Sequence, residues 1–259
     1  MDSMLLAPLS GAVVGLVLGL VGGGGSILAV PLLVYVVGVS STHMALGTSA
    51  LAVALTALVN LIPHWRQGHV KWQCAIVFSA AGILGAYAGS SIAKIVDGHA
   101  LLLLFGLLML VVGLTMLFNG GHEGNPDVRL RKDTAPELLP RLIPIGFGVG
   151  ALSGFFGIGG GFLIVPGLML ATGMPLGFAV GSSLVAVFAF GATTAANYAI
   201  SGLVDWSLAA LFIAGGAAGG LGGAGLGKLL GKSRNGLRYV FSAIVVGVGG
   251  YIVLQGLVG

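Results

Sequence analysis

Charge is scarce in this sequence. Asp, Glu, Lys and Arg together make up 7% of its 259 residues, against roughly 25% in an ordinary soluble domain. So little charge excludes water as the main solvent. A lone cysteine, Cys74, excludes an internal disulfide and a cysteine-cluster metal site. No Lys or Arg precedes Arg66, so the start lacks the basic region of a cleavable secretory signal. The acids Asp2, Asp97, Glu123, Asp127, Asp133, Glu137 and Asp205 all lie in polar breaks or at the ends of apolar stretches. A buried carboxylate is the usual carrier of protons or sodium ions in a pump, and its lack speaks against cation transport. His43, His64, His69, His99 and His122 also lie at helix ends or in loops. They offer an intramembrane enzyme no nucleophile–base pair and no metal cluster, and no cofactor is expected.

What the chain has is apolar length: 57% of it is hydrophobic and its mean hydropathy is +1.09. Apolar stretches of about twenty residues indicate membrane helices, because barrel strands would alternate over about ten. They run over about 4–37, 43–63, 72–94 and 100–118, then 141–172, 177–199, 206–229 and 236–258. The first and fifth are too long for one crossing of a hydrocarbon core about 30 Å thick. Both contain glycine runs, where helix propensity collapses. Each is therefore predicted to be a leading helix, a glycine turn and a short helix of about three turns ending near Pro31 or Pro166.

The two halves repeat. GLVGGGGSILAVP at Gly19–Pro31 aligns with GFFGIGGGFLIVP at Gly154–Pro166 at an offset of 135. At an offset of 134, Gly47, Thr48 and Ser49 meet Gly181, Ser182 and Ser183, and Gly68, Val70 and Trp72 meet Gly202, Val204 and Trp206. Self-similarity over nearly the whole length is the mark of a duplication. The expected division is a first membrane repeat (1–118), a linker (119–140) read as a solvated connector, and a second membrane repeat (141–259).

Charge then fixes the topology. With five elements per half, one face holds Arg66 and Lys71, then Arg129, Arg131, Lys132 and Arg141, then Lys228, Lys232, Arg234 and Arg238; only Lys94 lies opposite. Four elements per half would split the basic residues almost evenly. The basic face is expected to be cytoplasmic and both termini non-cytoplasmic. An odd number of elements turns the second half upside down, so the expected fold is an all-α integral membrane protein of two inverted-topology repeats. That is the architecture of many secondary transporters.

Non-helical main chain inside a membrane needs protein or a wet cavity around it. The turns Gly22, Gly23, Gly24, Gly25, Ser26 and Gly157, Gly159, Gly160, Gly161 would present free N–H groups at a helix N-terminus, where an anion binds without a fixed cation. Hydroxyls and amides near these turns complete the candidate site: Thr48, Ser49, Asn60, Ser182, Ser183 and Asn197. For Thr56, Thr115 and Thr194 the expectation is a bond to neighbouring backbone. Gly82, Gly85, Gly89, Gly216, Gly219, Gly220 and Gly223 are assigned to close helix packing. Lys94 and Lys228 are read as helix-end lysines reaching for the interface.

At these residues the chain resembles the TauE/SafE family of sulfite exporters. The resemblance lies in the doubled segments GGGGSILAVP and GIGGGFLIVP and the following ALGTS and AVGSS. It implies a bacterial or archaeal inner-membrane permease for small sulfur-containing anions such as sulfite or organosulfonates, with the bilayer as partner and no nucleic acid. Gly23 against Ile158, and Ser26 against Gly161, depart from equal half-sites. An anion channel, or a permease for a non-sulfur organic anion, is the alternative. Direction, coupling ion and pairing into a homodimer stay open.

Overall fold

A computed structural model describes residues 3–118, 125, 127–131, 133–159, 161–229 and 234–258. Among them there are helices and connections and no strand. In the first half, α1 (Ser3–Val21) leads into a 3₁₀ helix (Gly22–Leu28), a single α turn, α2 (Ala29–Pro31), and a π turn (Leu32–Val36). Three long helices follow: α3 (Thr42–Arg66), α4 (Trp72–Ala93) and α5 (Gly98–Phe118). The second half is α6 (Ala135–Phe156), α7 (Gly161–Thr172), α8 (Leu176–Ile200), α9 (Trp206–Leu229) and α10 (Arg234–Val258). Helices α3, α4, α5, α6, α8 and α9 carry segments long and apolar enough to cross a membrane.

Both overlong stretches break where the glycines fall, but three details differ from expectation. The first break is wound as a 3₁₀ helix and not as an open turn. That form eclipses residues three apart, which four glycines in a row tolerate. The short helices also run through their prolines, to Val36 and Thr172. Pro31 cannot donate the next α bond, and beyond it the ladder widens to π spacing, with Val37 N–H donating to Leu32 O at 2.9 Å. Finally, α6 begins at Ala135, six residues earlier than the hydropathy suggested. Glu137 and Arg141 look like loop, yet they pair across one exposed turn at 3.5 Å, while Leu138 and Leu142 turn inward. The linker is not a free connector either: Asn125 N–H donates to Gly173 O at 2.9 Å, and Val128 and Leu130 pack on the core.

Glycine sets the closest packing. A Cβ on Gly11 or Gly15 would strike the main chain of Phe212 or Gly216, and one on Gly215, Gly219 or Gly223 would strike Pro8, Ala12 or Leu16. These contacts climb both helices together, so α1 and α9 run parallel with their backbones touching. Helices α4 and α6 do the same: Gly146, Gly150 and Gly154 abut Phe78, Gly82 and Ala86, and Gly85 and Gly89 abut Phe147 and Ala151. Of the glycines assigned to packing, Gly82, Gly85, Gly89, Gly216, Gly219 and Gly223 lie in these two seams. Gly220 instead faces the Asn60 side chain of α3.

The pairing scheme maps onto itself when α1–α5 are exchanged with α6–α10. The α1·α9 pair becomes α6·α4 and α3·α9 becomes α8·α4, while α3·α8 and α5·α10 map onto themselves. Helices α3 and α8 are antiparallel, since Lys71 beyond the end of α3 bonds Ser182 near the start of α8, and Asp205 beyond the end of α8 bonds Thr48 near the start of α3.

Gly150→Ala would put a methyl 2.6 Å from Gly82 Cα and should destabilise by about 1–3 kcal/mol through overpacking. Gly148, on the same helix, has nothing within 4 Å of a new Cβ. Gly148→Ala should leave the thermal unfolding midpoint unchanged or raise it; equal falls in the two variants would remove the packing argument.

Candidate functional site

The two breaks meet in the middle of the bundle. At the first, the chain doubles back so tightly that a Cβ on Gly25 would lie 2.8 Å from the Val17 carbonyl carbon and 2.9 Å from Leu18 Cα. Only a residue without a side chain allows that approach. The 3₁₀ segment then packs against α7 and α8, with Ser26 and Ile27 fully buried. At the second break, Gly157 ends α6 in the left-handed region at φ 63°, its N–H on Gly154 O at 3.3 Å. Gly159 is left-handed too, at φ 62°, and Ile158 between them has negative φ, as do all described non-glycine residues. Two left-handed glycines on either side of Ile158 thus turn the chain from α6 into α7. Helix α7 starts two residues later.

Helices α3 and α8 close over this second break. Leu46 and Val53 of α3 and Val187 of α8 lie against Gly157 and Gly159. Ser49 Oγ stands 2.9 Å from both Leu46 O and Gly157 O and shares its one proton between them, tying α3 to the break. Of the residues singled out by sequence, then, Ser26, Ser49, Gly157, Gly159 and Gly161 are buried in this region. Gly22, Gly23, Gly24 and Gly25 form the 3₁₀ turn, and Gly160 lies outside the described residues. The first break leaves the α pattern for a 3₁₀ helix and the second for a turn, and among the described residues the charged ones stay at helix ends or in connections.

Other candidates serve elsewhere. Thr48 Oγ1 accepts from Asp205 N–H at 3.0 Å, and Ser182 Oγ accepts from Lys71 N–H at 2.8 Å. These are the same bond twice, because Thr48 and Ser182, like Lys71 and Asp205, are 134 apart. The preceding glycines make room: a Cβ on Gly47 would meet Leu203 O, and one on Gly181 would meet His69 O. Each G-T-S or G-S-S motif thus receives the loop of the other half. Ser183 Oγ donates to Val180 O at 2.8 Å.

Asn60 Nδ2 donates to Thr56 O at 3.1 Å, while its Oδ1 is buried without a partner. It lies eleven residues beyond Ser49, roughly 16 Å along α3. Asn197, at the far end of α8, bonds Ser90 and Ser91 through Nδ2 and accepts from Lys94 Nζ at 2.8 Å. Lys94 Nζ also reaches Asn197 O at 3.2 Å and Ser201 Oγ at 3.0 Å, so it turns inward where a reach to the interface was expected. Neither asparagine touches the glycine breaks.

Sequence reasoning missed two things. Thr115 does bond backbone, at 2.8 Å from Val112 O, but Thr56 Oγ1 and Thr194 Oγ1 are buried with no partner at all. The exchanged caps were also missed, although the parallel spacing from Gly47 to Trp72 and from Gly181 to Trp206 was visible and pointed to a shared contact.

The family described as "Sulfite exporter TauE/SafE" matches residues 7–252. A "Probable membrane transporter protein" of Xylella fastidiosa strain 9a5c is 50% identical, over 97% of this chain and 95% of its own. The "Probable membrane transporter protein YunE" of Bacillus subtilis is 27% identical over 98% and 99%. No solved structure matches the chain.

The exchanged caps generate a stability test. Thr48→Val and Ser182→Ala each leave an amide short of an acceptor and should each cost about 1–3 kcal/mol, read as comparable falls in thermal midpoint. Thr115→Val, whose hydroxyl bonds only within its own helix, should leave the midpoint nearly unchanged. If all three variants melt alike, the caps hold nothing.

Proposed function

The chain belongs to the TauE/SafE sulfite exporter family, and from that premise we propose that it is a secondary transporter binding a small sulfur-containing anion, sulfite or an organosulfonate, at its two glycine breaks. That it is a multi-pass membrane protein of transporter type follows from the family, from its relatives and from six helices fit to span a bilayer. The observation that carries the finer reading is the pair of left-handed glycines, Gly157 and Gly159, that ends α6 just ahead of α7. Such main chain attracts anions through oriented N–H groups and a helix dipole. It does so without a buried Lys or Arg, whose desolvation would oppose insertion. A small, compact oxyanion suits it, because Leu46, Val53 and Val187 press on the break and the Ser49 hydroxyl lies beside its main chain.

Movement by alternating access is part of the same proposal. Contacts that survive the exchange of halves, and the antiparallel course of α3 and α8, support two inverted repeats. Each inward contact of one repeat then has an outward mate in the other, as symmetric exchange of two facing states requires. The basic connections 64–71, 119–141 and 228–238 would face the cytoplasm of the inner membrane.

The test is sulfite efflux from preloaded proteoliposomes. Saturating flux with counterflow is expected of a carrier; flux without counterflow would indicate a channel, and no sulfite or sulfonate flux under any gradient would sink the substrate assignment. Gly24→Val should abolish flux in a protein that still purifies as a single folded species, and unchanged flux would remove the first break from the site.

A further inference from the structure

Two rows of buried polar atoms without partners run away from the glycine breaks. On α3, Thr56 Oγ1, Asn60 Oδ1 and His64 Nδ1 are all unpartnered, and they recur every four residues, on one helix face. Thr56 is 1% exposed and Asn60 0%. On α8, Thr194 Oγ1 and Tyr198 OH are unpartnered, both on residues 0% exposed. The rows are repeat mates: Asn60 and Thr194 are 134 apart, and so are His64 and Tyr198. An orphaned buried polar group costs roughly 1–3 kcal/mol. Four of these five fall in two matched pairs, with Thr56 one turn before the first, and they call for a partner that the described residues do not supply. Mere packing would be served better by valine or leucine.

What faces the rows is equally specific. A Cβ on Gly216 of α9 would lie 2.6 Å from Thr56 Oγ1, and one on Gly220 would lie 2.8 Å from Asn60 Cγ. On the other row, Gly82 of α4 accommodates the ring of Phe190, the repeat mate of Thr56. Helices α9 and α4 are the members of the two glycine seams, each bound backbone to backbone to α1 or α6. The lid over the α3 row is therefore α9, held to α1, and the surface beneath it is polar and unsatisfied; along α8 runs α4, held to α6, with Gly82 on Phe190 and Ser90 and Ser91 on Asn197. Because α3 and α8 are antiparallel, the row on α3 descends from the breaks toward the 64–71 loop and the row on α8 toward the 201–205 loop, at the opposite end of the bundle.

We infer that these rows are the two half-routes by which a hydrated oxyanion travels between the breaks and either side of the membrane. Each row is shut here by its glycine-faced helix and wetted when the α1–α9 or α4–α6 pair swings off it. An acceptor such as Asn60 Oδ1 calls for a donor, which water around the anion provides, while Thr56 and Thr194 hydroxyls donate to the anion itself. This rests on the transporter reading above and adds to it the path and the moving parts.

Single cysteines in a Cys74→Ala background test it with a charged, membrane-impermeant methanethiosulfonate applied to vesicles of either orientation. Asn60→Cys should react only from the side of the 64–71 loop and Thr194→Cys only from the side of the 201–205 loop. Ala54→Cys, equally buried but packed on Gly191 of α8, should stay inert. A saturating organosulfonate such as sulfoacetate, which unlike sulfite does not attack the reagent or the mixed disulfide, should remove most of the modification at both rows. Two cysteines as inert as the control, or both reactive from the same side, would overturn the inference; modification that the sulfonate leaves untouched would overturn the rows as the anion's path. Labelling is read without any flux, so a parent chain that moves no sulfite counts against the substrate alone, and sulfite flux with inert rows counts against the rows alone. Thr56→Val and Thr194→Val add a shape-preserving check. Loss of an unpartnered hydroxyl should leave the thermal midpoint unchanged or raise it while flux falls, and full flux in both variants would again overturn the inference.

Discussion

Main chain that leaves the helical pattern inside hydrocarbon has no water to complete its hydrogen bonds, and each unmet group costs several kcal/mol. The architecture of this protein follows from that constraint. Two helices are broken at glycines, so their irregular segments must be enclosed by protein on every side. Enclosure is supplied by α3 and α8, which cross antiparallel over the breaks, with Ser49 tied to the Gly157 carbonyl. Those two helices are in turn held at the correct height by the exchanged caps, Thr48 on Asp205 and Ser182 on Lys71. On the proposed reading, a ligand that enters the breaks would replace part of this enclosure. Binding there would be a substitution of one set of partners for another, which suits a site that must also release its cargo.

The glycines do three separate jobs, and the distinction matters for what can move. In the breaks they permit left-handed φ or a doubling back that a side chain would prevent. In the seams of α1 with α9 and α4 with α6 they bring backbones into contact, which maximises dispersion between helices that gain nothing from the hydrophobic effect in lipid. Beside α3 they leave room for polar side chains, as Gly220 does for Asn60. A seam closed over so many backbone contacts has no shallow intermediate position, whereas a glycine lying on an unsatisfied amide surrenders little by leaving it. On the proposed reading, relative motion would be channelled to the α3–α9 and α4–α8 boundaries and away from the seams.

Much of this was legible from hydropathy and repetition alone. The all-helical fold, the order of the long helices and the place of both breaks follow from the length of apolar runs and the glycine clusters. The start of α6 was not, because Pro140, Glu137 and Arg141 are also what a polar connector contains; only the inward Leu138 and Leu142 distinguish a helix, and four residues are too few to show a period. The continuation past Pro31 and Pro166 was hidden for a similar reason: neighbouring helices in lipid accommodate the lost bond that would end a helix in water. The glycines of the two breaks were located by rule, but the roles of Thr48, Ser182, Thr56 and Thr194 were not. Whether a hydroxyl bonds its own helix, caps a distant loop or finds nothing depends on which element the fold sets opposite it.

The repeat is also broken in a way that bears on function. Lys94 Nζ is held by Asn197 and Ser201 at one end of the bundle. The mates of those two residues, 134 earlier, are Pro63 and Gln67. Proline has no side-chain oxygen, so the side-chain acceptor that Asn197 gives Lys94 has no counterpart in the sequence of the first half. On the alternating-access reading proposed above, such a difference between the halves would make the two facing states unequal in free energy. It would set how the protein divides its time between the states, and with it the apparent affinity seen from each side. It would not set the direction of net transport, which the gradients fix. Perfect symmetry would serve exchange equally from both faces, whereas an acceptor present in one half alone would give the empty protein a resting orientation.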